Sequence, residues 1–177
     1  DVCLYDRQGD TLLYAQKLIA GFAWQELLQK RLVFATGNQG KVNEFRQMLG
    51  DDYEILSMKD IGVDIDIVED GKTFEENACI KAGQIQKLAG GIVLADDSGL
   101  EVDYLDGAPG IYSARYMGED TSYDIKNQAI IDKLADAKGE ERSARFVCAI
   151  AAALPDGRLL TTRGTIEGQI GYEIVGD

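Results

Sequence analysis

Apolar and polar positions follow two rhythms along this chain. From residue 32, LVFA is a short unbroken apolar run, and VNEFRQML then spaces Val42, Phe45 and Leu49 at steps of three and four. The first predicts a buried strand, the second one face of a helix that stops at Gly50. YEILSM predicts another strand, followed by a polar loop through Asp70 and Gly71. TFEENACIKAGQIQKLAG sets Phe74, Ala78, Ala82, Ile85 and Ala89 on one helical face, with Gly90 and Gly91 as a stop, and GIVLA follows as a buried strand.

After Asp96 the rhythm changes to two, through Leu100, Val102 and Tyr104, before the turn residues Asp106 to Gly110. SYDIKNQAIIDKLADAKG predicts a helix over 122–139, and RFVCAIAAAL and RLLTTRGTIEGQ predict two strands joined as a hairpin at Pro155-Asp156-Gly157. Strands alternating with helices and closed by a hairpin give an α/β class with a mixed sheet. Residues 1–30 predict an appended hairpin, turning at Gln8-Gly9-Asp10, and a helix carrying Leu18, Phe22, Leu27 and Leu28. That flank carries no recognisable chemistry, so 31–177 is expected to be the working domain.

Composition narrows the function. The chain has 177 residues, 45% of them hydrophobic, enough for one globular domain with room for two sub-lobes. Its net charge of -13 opposes binding to a nucleic-acid polymer, although a small anionic substrate can still be held by local donors and a divalent cation. Histidine is absent, which removes Ser-His-Asp and Cys-His schemes and histidine-ligated zinc. Cys3, Cys79 and Cys148 lack CxxC spacing and read as buried thiols of a reducing compartment. No apolar run suggests a membrane span and no signal-peptide pattern opens the chain, so a cytoplasmic location is expected.

Four constellations could carry chemistry. Thr36-Gly37-Asn38-Gln39-Gly40-Lys41 sits at a strand-to-helix turn, where unpaired helical N–H groups and the helix dipole favour phosphate oxygens; a plain polar turn is the alternative. Glu69 and Asp70 precede Thr73-Phe74-Glu75-Glu76-Asn77, in which Thr73 and Glu76 fit a capping box. On the helix that follows, Asn77, Lys81 and Gln84 form a polar stripe that either presents Lys81 to an anion or is simply solvated. Asp96-Asp97-Ser98 at a strand end suits a magnesium ion shared with substrate phosphates, or else an Asx turn. In Gly107 to Tyr116, Ser113 and Arg115 could bond a ligand or a second subunit, and the tyrosines could equally pack a core.

In this order FATGNQGKVNEF, TFEENACIKA, LADDSGLEVDYLDGAPGIYSARYMGED and RFVC closely resemble the inosine/xanthosine triphosphate pyrophosphatase family, also called Ham1-like, from about residue 32 onward. The resemblance implies an elongated mixed α/β fold with two lobes around a substrate cleft, and a homodimer. It implies magnesium-dependent hydrolysis of deaminated purine nucleoside triphosphates, such as dITP, ITP and XTP, to monophosphate and pyrophosphate, cleansing the nucleotide pool. By that resemblance Thr36, Gly37, Asn38, Gln39, Gly40 and Lys41 hold the triphosphate. Glu69 and Asp97 ligate magnesium, Asp97 is the general base, Ser98 contacts substrate and Lys81 is a phosphate ligand.

The family continues past a segment like IGYEIVGD into an FGYDP-type strand, a lysine and a His-Arg pair that help recognise the base, whereas this sequence runs to Asp177. The expectation is therefore a phosphate and metal half-site with impaired purine selectivity. Two rival classes remain: a P-loop NTPase or kinase, which would release a diphosphate, and a nucleotide-binding module with little or no turnover.

Overall fold

The computed structural model describes residues 31–175. The hairpin and helix expected in 1–30 lie outside the described residues. Five strands form one sheet: β1 (Arg31–Phe34), β2 (Glu54–Ser57), β3 (Ile92–Val102), β4 (Ser143–Ala153) and β5 (Leu159–Gln169), in the order β2-β1-β3-β4-β5. β1 runs parallel to both β2 and β3, with Val33 beside Leu56 on one side and Val93 on the other. β4 and β5 are neighbours joined through 154–158, too short a link for a parallel crossover, so the sheet is mixed as expected. The Leu154 N–H donates to Arg158 O at 2.9 Å across that turn.

The described residues include three α-helices: α1 (Gln39–Leu49), α2 (Phe74–Ala89) and α3 (Tyr123–Lys133). α1 and α2 both stop at a glycine with positive φ, Gly50 at 65° and Gly90 at 63°, a backbone that side chains resist. α3 is shorter than the expected 122–139. The carbonyls of Leu134 and Ala137 accept from the buried Arg142 guanidinium at 2.6 and 3.3 Å, and a side chain thus takes over the acceptors that end the helix.

Strand alternation assigns the two helices nearest β1 to opposite faces of the sheet. Val33, Ala35, Val93 and Ala95 pack with Ala78, Ala82 and Ile85 of α2. Phe34 points the other way and meets Phe45 of α1, ring centroids 4.1 Å apart. The parity of a position on β1 or β3 therefore decides which helix it faces.

The expected strand end at Asp96 is not observed. β3 runs unbroken for 11 residues to Val102, so Asp96, Asp97, Ser98 and Gly99 lie inside a strand, with no Asx turn. Pairing with its neighbours carries the backbone through these polar residues. Tyr104, expected to extend the alternation, lies instead in a 3-10 turn over Asp103–Leu105.

The described residues divide into two compact units, one of 31–97 with Ala149–Arg163 and one of Ser98–Cys148 with 164–175. The first contains the α2 core just described. The second has its own core of Leu100, Val102, Ile130, Ile131, Leu134, Ala137, Ala144 and Ile170. Among the described residues no helix is long and apolar enough to cross a membrane.

Candidate active site

The loop leaving β1 is closed by its own side chains. Asn38 is the N-cap of α1: its Oδ1 accepts from Gly40 N at 2.8 Å and from Lys41 N at 3.4 Å, and its own N–H donates to Thr36 Oγ1 at 3.1 Å. This corrects the expectation that the first helical N–H groups stand unpaired, because an asparagine at the cap supplies the acceptor itself. Gly37, Asn38, Gln39 and Gly40 remain exposed and Thr36 is half-buried, so the outer surface of the loop is accessible.

Lys41, in the first turn of α1, reaches across to β3, where its Nζ lies 2.5 Å from Oδ2 of the buried Asp96. Asp96 has the parity of Ile92 and Leu94, which turn away from the α2 face. Asp97 has the parity of Val93 and Ala95 and meets residues of α2 instead. Its Oδ1 lies 3.7 Å from Lys81 Nζ, and its Oδ2 accepts from Asn77 Nδ2 at 3.1 Å. The same Lys81 ammonium donates to Glu69 Oε2 at 3.2 Å, with only 14% of the lysine side chain exposed. The neighbouring aspartates, expected as one carboxylate pair, are thus divided between two lysines.

The structure brings Glu69, Lys81 and Asp97 together around one ammonium, and Lys41 together with Asp96. Ser98 follows in β3, half-buried. Asp70 is exposed. Lys81 is not a solvated lysine, and Asn77 is not on a polar stripe: it is fully buried among core residues, while Gln84 is exposed. Asp96 as the partner of Lys41 and Asn77 as a partner of Asp97 were missed by sequence reading. The missed signal was parity, which becomes usable once β3 is extended past Asp96.

The helix start at α2 is built much as the capping box predicts. Thr73 Oγ1 accepts from Glu76 N at 3.1 Å, but the Glu76 carboxylate accepts from Lys72 N at 2.6 Å, one residue upstream of the usual reciprocal bond. Beside it a cavity of about 440 Å³ is lined by Gly71, Glu75, Glu76, Cys79, Ile80 and Thr161. Burial, then Glu75 and Glu76, push the Cys79 thiol above its ordinary value, so this recess favours the unreactive thiol. Ser113 is engaged within the chain: its hydroxyl donates to Gly110 O at 2.6 Å and accepts from Leu100 N at 2.9 Å. The Arg115 guanidinium lies over the exposed Tyr112 ring at 5.0 Å.

Two lysine–carboxylate groups on successive residues of one strand, beside an accessible loop with amide and hydroxyl groups, can hold a polyanion and a cation together. Comparison with known proteins identifies the family. The model of the Ham1 family matches residues 32–177. A dITP/XTP pyrophosphatase from Exiguobacterium sibiricum is 51% identical over 144 residues, covering 81% of this chain and 73% of that protein. One from Bacillus subtilis is 41% identical over 152 residues, covering 85% and 77%. The structure of the Staphylococcus aureus Ham1 protein superposes with a TM-score of 0.76 at 40% identity, over 83% of this chain and 75% of that one.

Proposed function

The chain belongs to the Ham1 family, and from that premise we propose that it hydrolyses deaminated purine nucleoside triphosphates to the monophosphate and pyrophosphate, as a cleanser of the nucleotide pool. It is an enzyme of the kind its relatives' names describe, a nucleoside triphosphate pyrophosphatase, with dITP and XTP as substrates. The observation that carries the reading is the gathering of Glu69, Asp97 and Lys81 one residue along β3 from the Lys41–Asp96 pair.

The donor set fits magnesium. Glu69 and Asp97 already share one cation, the Lys81 ammonium, and magnesium is commonly held by one or two carboxylates plus substrate phosphates. Glu69 and Asp97 would hold the ion, which when bound neutralises charge on the phosphate oxygens.

The chain's own residues supply the rest. Thr36 and Asn38 present hydroxyl and amide donors to the triphosphate, Gly37, Gln39 and Gly40 let the backbone come close to it, and Lys41 adds a positive charge beside them. Ser98 adds a hydroxyl contact to substrate. Lys81 stabilises the charge that develops on the departing pyrophosphate. Asp97 orients the attacking water toward the α-phosphorus and receives its proton. A homodimer in the cytoplasm belongs to the same proposal, and light scattering on the eluted protein tests the dimer.

The deciding experiment incubates the chain with magnesium and dITP, XTP, dGTP or dATP and separates the products. Monophosphate and pyrophosphate from dITP and XTP are expected. A diphosphate with orthophosphate, or binding without turnover, would overturn the reading.

A further inference from the structure

We propose that Asn77 is a positioning residue for this reaction, acting through Asp97 and through the loop that carries Glu69; the inference rests on the pyrophosphatase reading of the site. Asn77 lies in the first turn of α2 and is fully buried beside Phe74 and Ala78, where an apolar residue would be the ordinary choice. Asparagine is also a poor helix former, since its amide competes for backbone partners. A buried amide is costly unless its polar atoms are bonded. Both of its arms are used. Nδ2 donates to Asp97 Oδ2 at 3.1 Å, and Oδ1 accepts from Gly71 N at 2.9 Å.

Those two bonds tie together the pieces that carry the two carboxylates. Gly71 is two residues from Glu69 along the loop, and Asp97 belongs to β3. One side chain on a rigid helix therefore sets how far apart Glu69 and Asp97 stand around Lys81. The partners on Asp97 are divided, with Lys81 near Oδ1 and Asn77 on Oδ2. A neutral amide fixes the carboxylate's orientation without cancelling its charge, which a second lysine or arginine there would do.

The fit at Gly71 is equally specific. A Cβ at that position would stand 2.6 Å from Asn77 Oδ1, 2.8 Å from Glu76 Cβ and 2.9 Å from Asn77 N. Only glycine lets the loop approach this closely, so Gly71 and Asn77 form one device.

Three variants dissect it. Asn77→Asp keeps the shape and the acceptor for Gly71 N but replaces the neutral amide donor to Asp97 with a second carboxyl group. Gly71→Ala keeps the amide but displaces the loop from it. Asn77→Ala removes both bonds. Steady-state kinetics with dITP and magnesium are expected to show kcat lowered roughly 100-fold for Asn77→Asp and Asn77→Ala and about 10-fold for Gly71→Ala, since small misplacements of a reacting group have effects of this order. KM should change less than about threefold, with each variant assayed at a temperature where circular dichroism shows it folded. Should Asn77→Ala melt below the assay temperature, Asn77→Asp and Gly71→Ala carry the test. A wild-type chain that turns over dITP while Asn77→Asp keeps its kcat overturns this inference and leaves the function standing. A parallel fall in kcat and melting temperature in both of these variants, matching loss of folded protein, overturns it as well. A wild-type chain inert toward dITP and XTP overturns the underlying function.

Discussion

Asp96 and Asp97 are the same residue in adjacent positions, yet the fold makes two different groups of them. Asp96 is buried and paired with Lys41, one carboxylate against one ammonium. Asp97 shares Lys81 with Glu69, two carboxylates to one ammonium, and this group carries a net negative charge. A one-residue step along a strand reverses the facing direction, and that reversal produces the difference. The balanced pair suits fixing the phosphate loop at the start of α1. The unbalanced group suits drawing in a divalent cation together with a triphosphate.

The comparison breaks most sharply at Asp97. Asp97→Asn keeps the size of the side chain but removes the negative charge and, on the proposed mechanism, the base, and kcat for dITP is expected to fall by about 10²–10⁴-fold with little change in melting temperature. A smaller loss than at Asp96→Asn would invert the assignment of the two aspartates. Next comes Lys81→Met, which leaves Glu69 and Asp97 facing each other without their ammonium. Turnover should drop by about 100-fold, because charge on the leaving group loses its partner. Calorimetric titration with manganese and no nucleotide should at the same time give tighter binding than wild type, since the resident cation is gone. Weaker manganese binding would refute the picture of a cation-seeking pair.

Asp96→Asn should act differently. It retains an acceptor for Lys41 but loses the charge, so a small loss of stability, within about 1 kcal/mol, is expected for a part-exposed pair. Lys41 then meets the triphosphate without its fixed partner, so KM for dITP should rise about tenfold while kcat stays within a few-fold. Urea unfolding and a substrate titration read the two effects separately. A kcat-dominated loss would place Asp96 in the chemistry rather than in support of the loop.

Much of this arrangement was legible in the sequence. The strand and helix rhythms gave β1, β2 and α2 to within about a residue and the end of α1, whose start at Gln39 was read as loop, and the hairpin at Pro155-Asp156-Gly157 gave the antiparallel end of the sheet. What could not be read was the passage of β3 through Asp96-Asp97-Ser98-Gly99, because a local pattern of polar residues and glycine resembles a turn. Pairing within the sheet overrides that local preference. With the strand ended at Asp96, parity was unavailable and the two aspartates read as one pair. Asn77 was misread for the same kind of reason: helical spacing put it beside the apolar face, and only its tertiary partners, Gly71 and Asp97, make burial tolerable. α3 came out too long because Arg142, distant from the helix pattern, claims the carbonyls that end it.

The smallest effect probes the edge of the unbalanced side. Cys79 projects from α2 beside Glu75 and Glu76, and burial together with these two carboxylates raises its thiol above the ordinary value. A raised value means less thiolate near neutral pH, and the thiolate is the reacting form. Alkylation of Cys79 by iodoacetamide in the native chain should therefore run slower than in the urea-unfolded chain, followed peptide by peptide by mass spectrometry, and should accelerate as the pH rises. Glu75→Gln with Glu76→Gln should recover part of the native rate, because two of the three causes are removed while burial, the largest, stays. An unchanged rate in that double variant would mean that the acidic character of this face stops short of Cys79, confining the negative excess to Glu69 and Asp97.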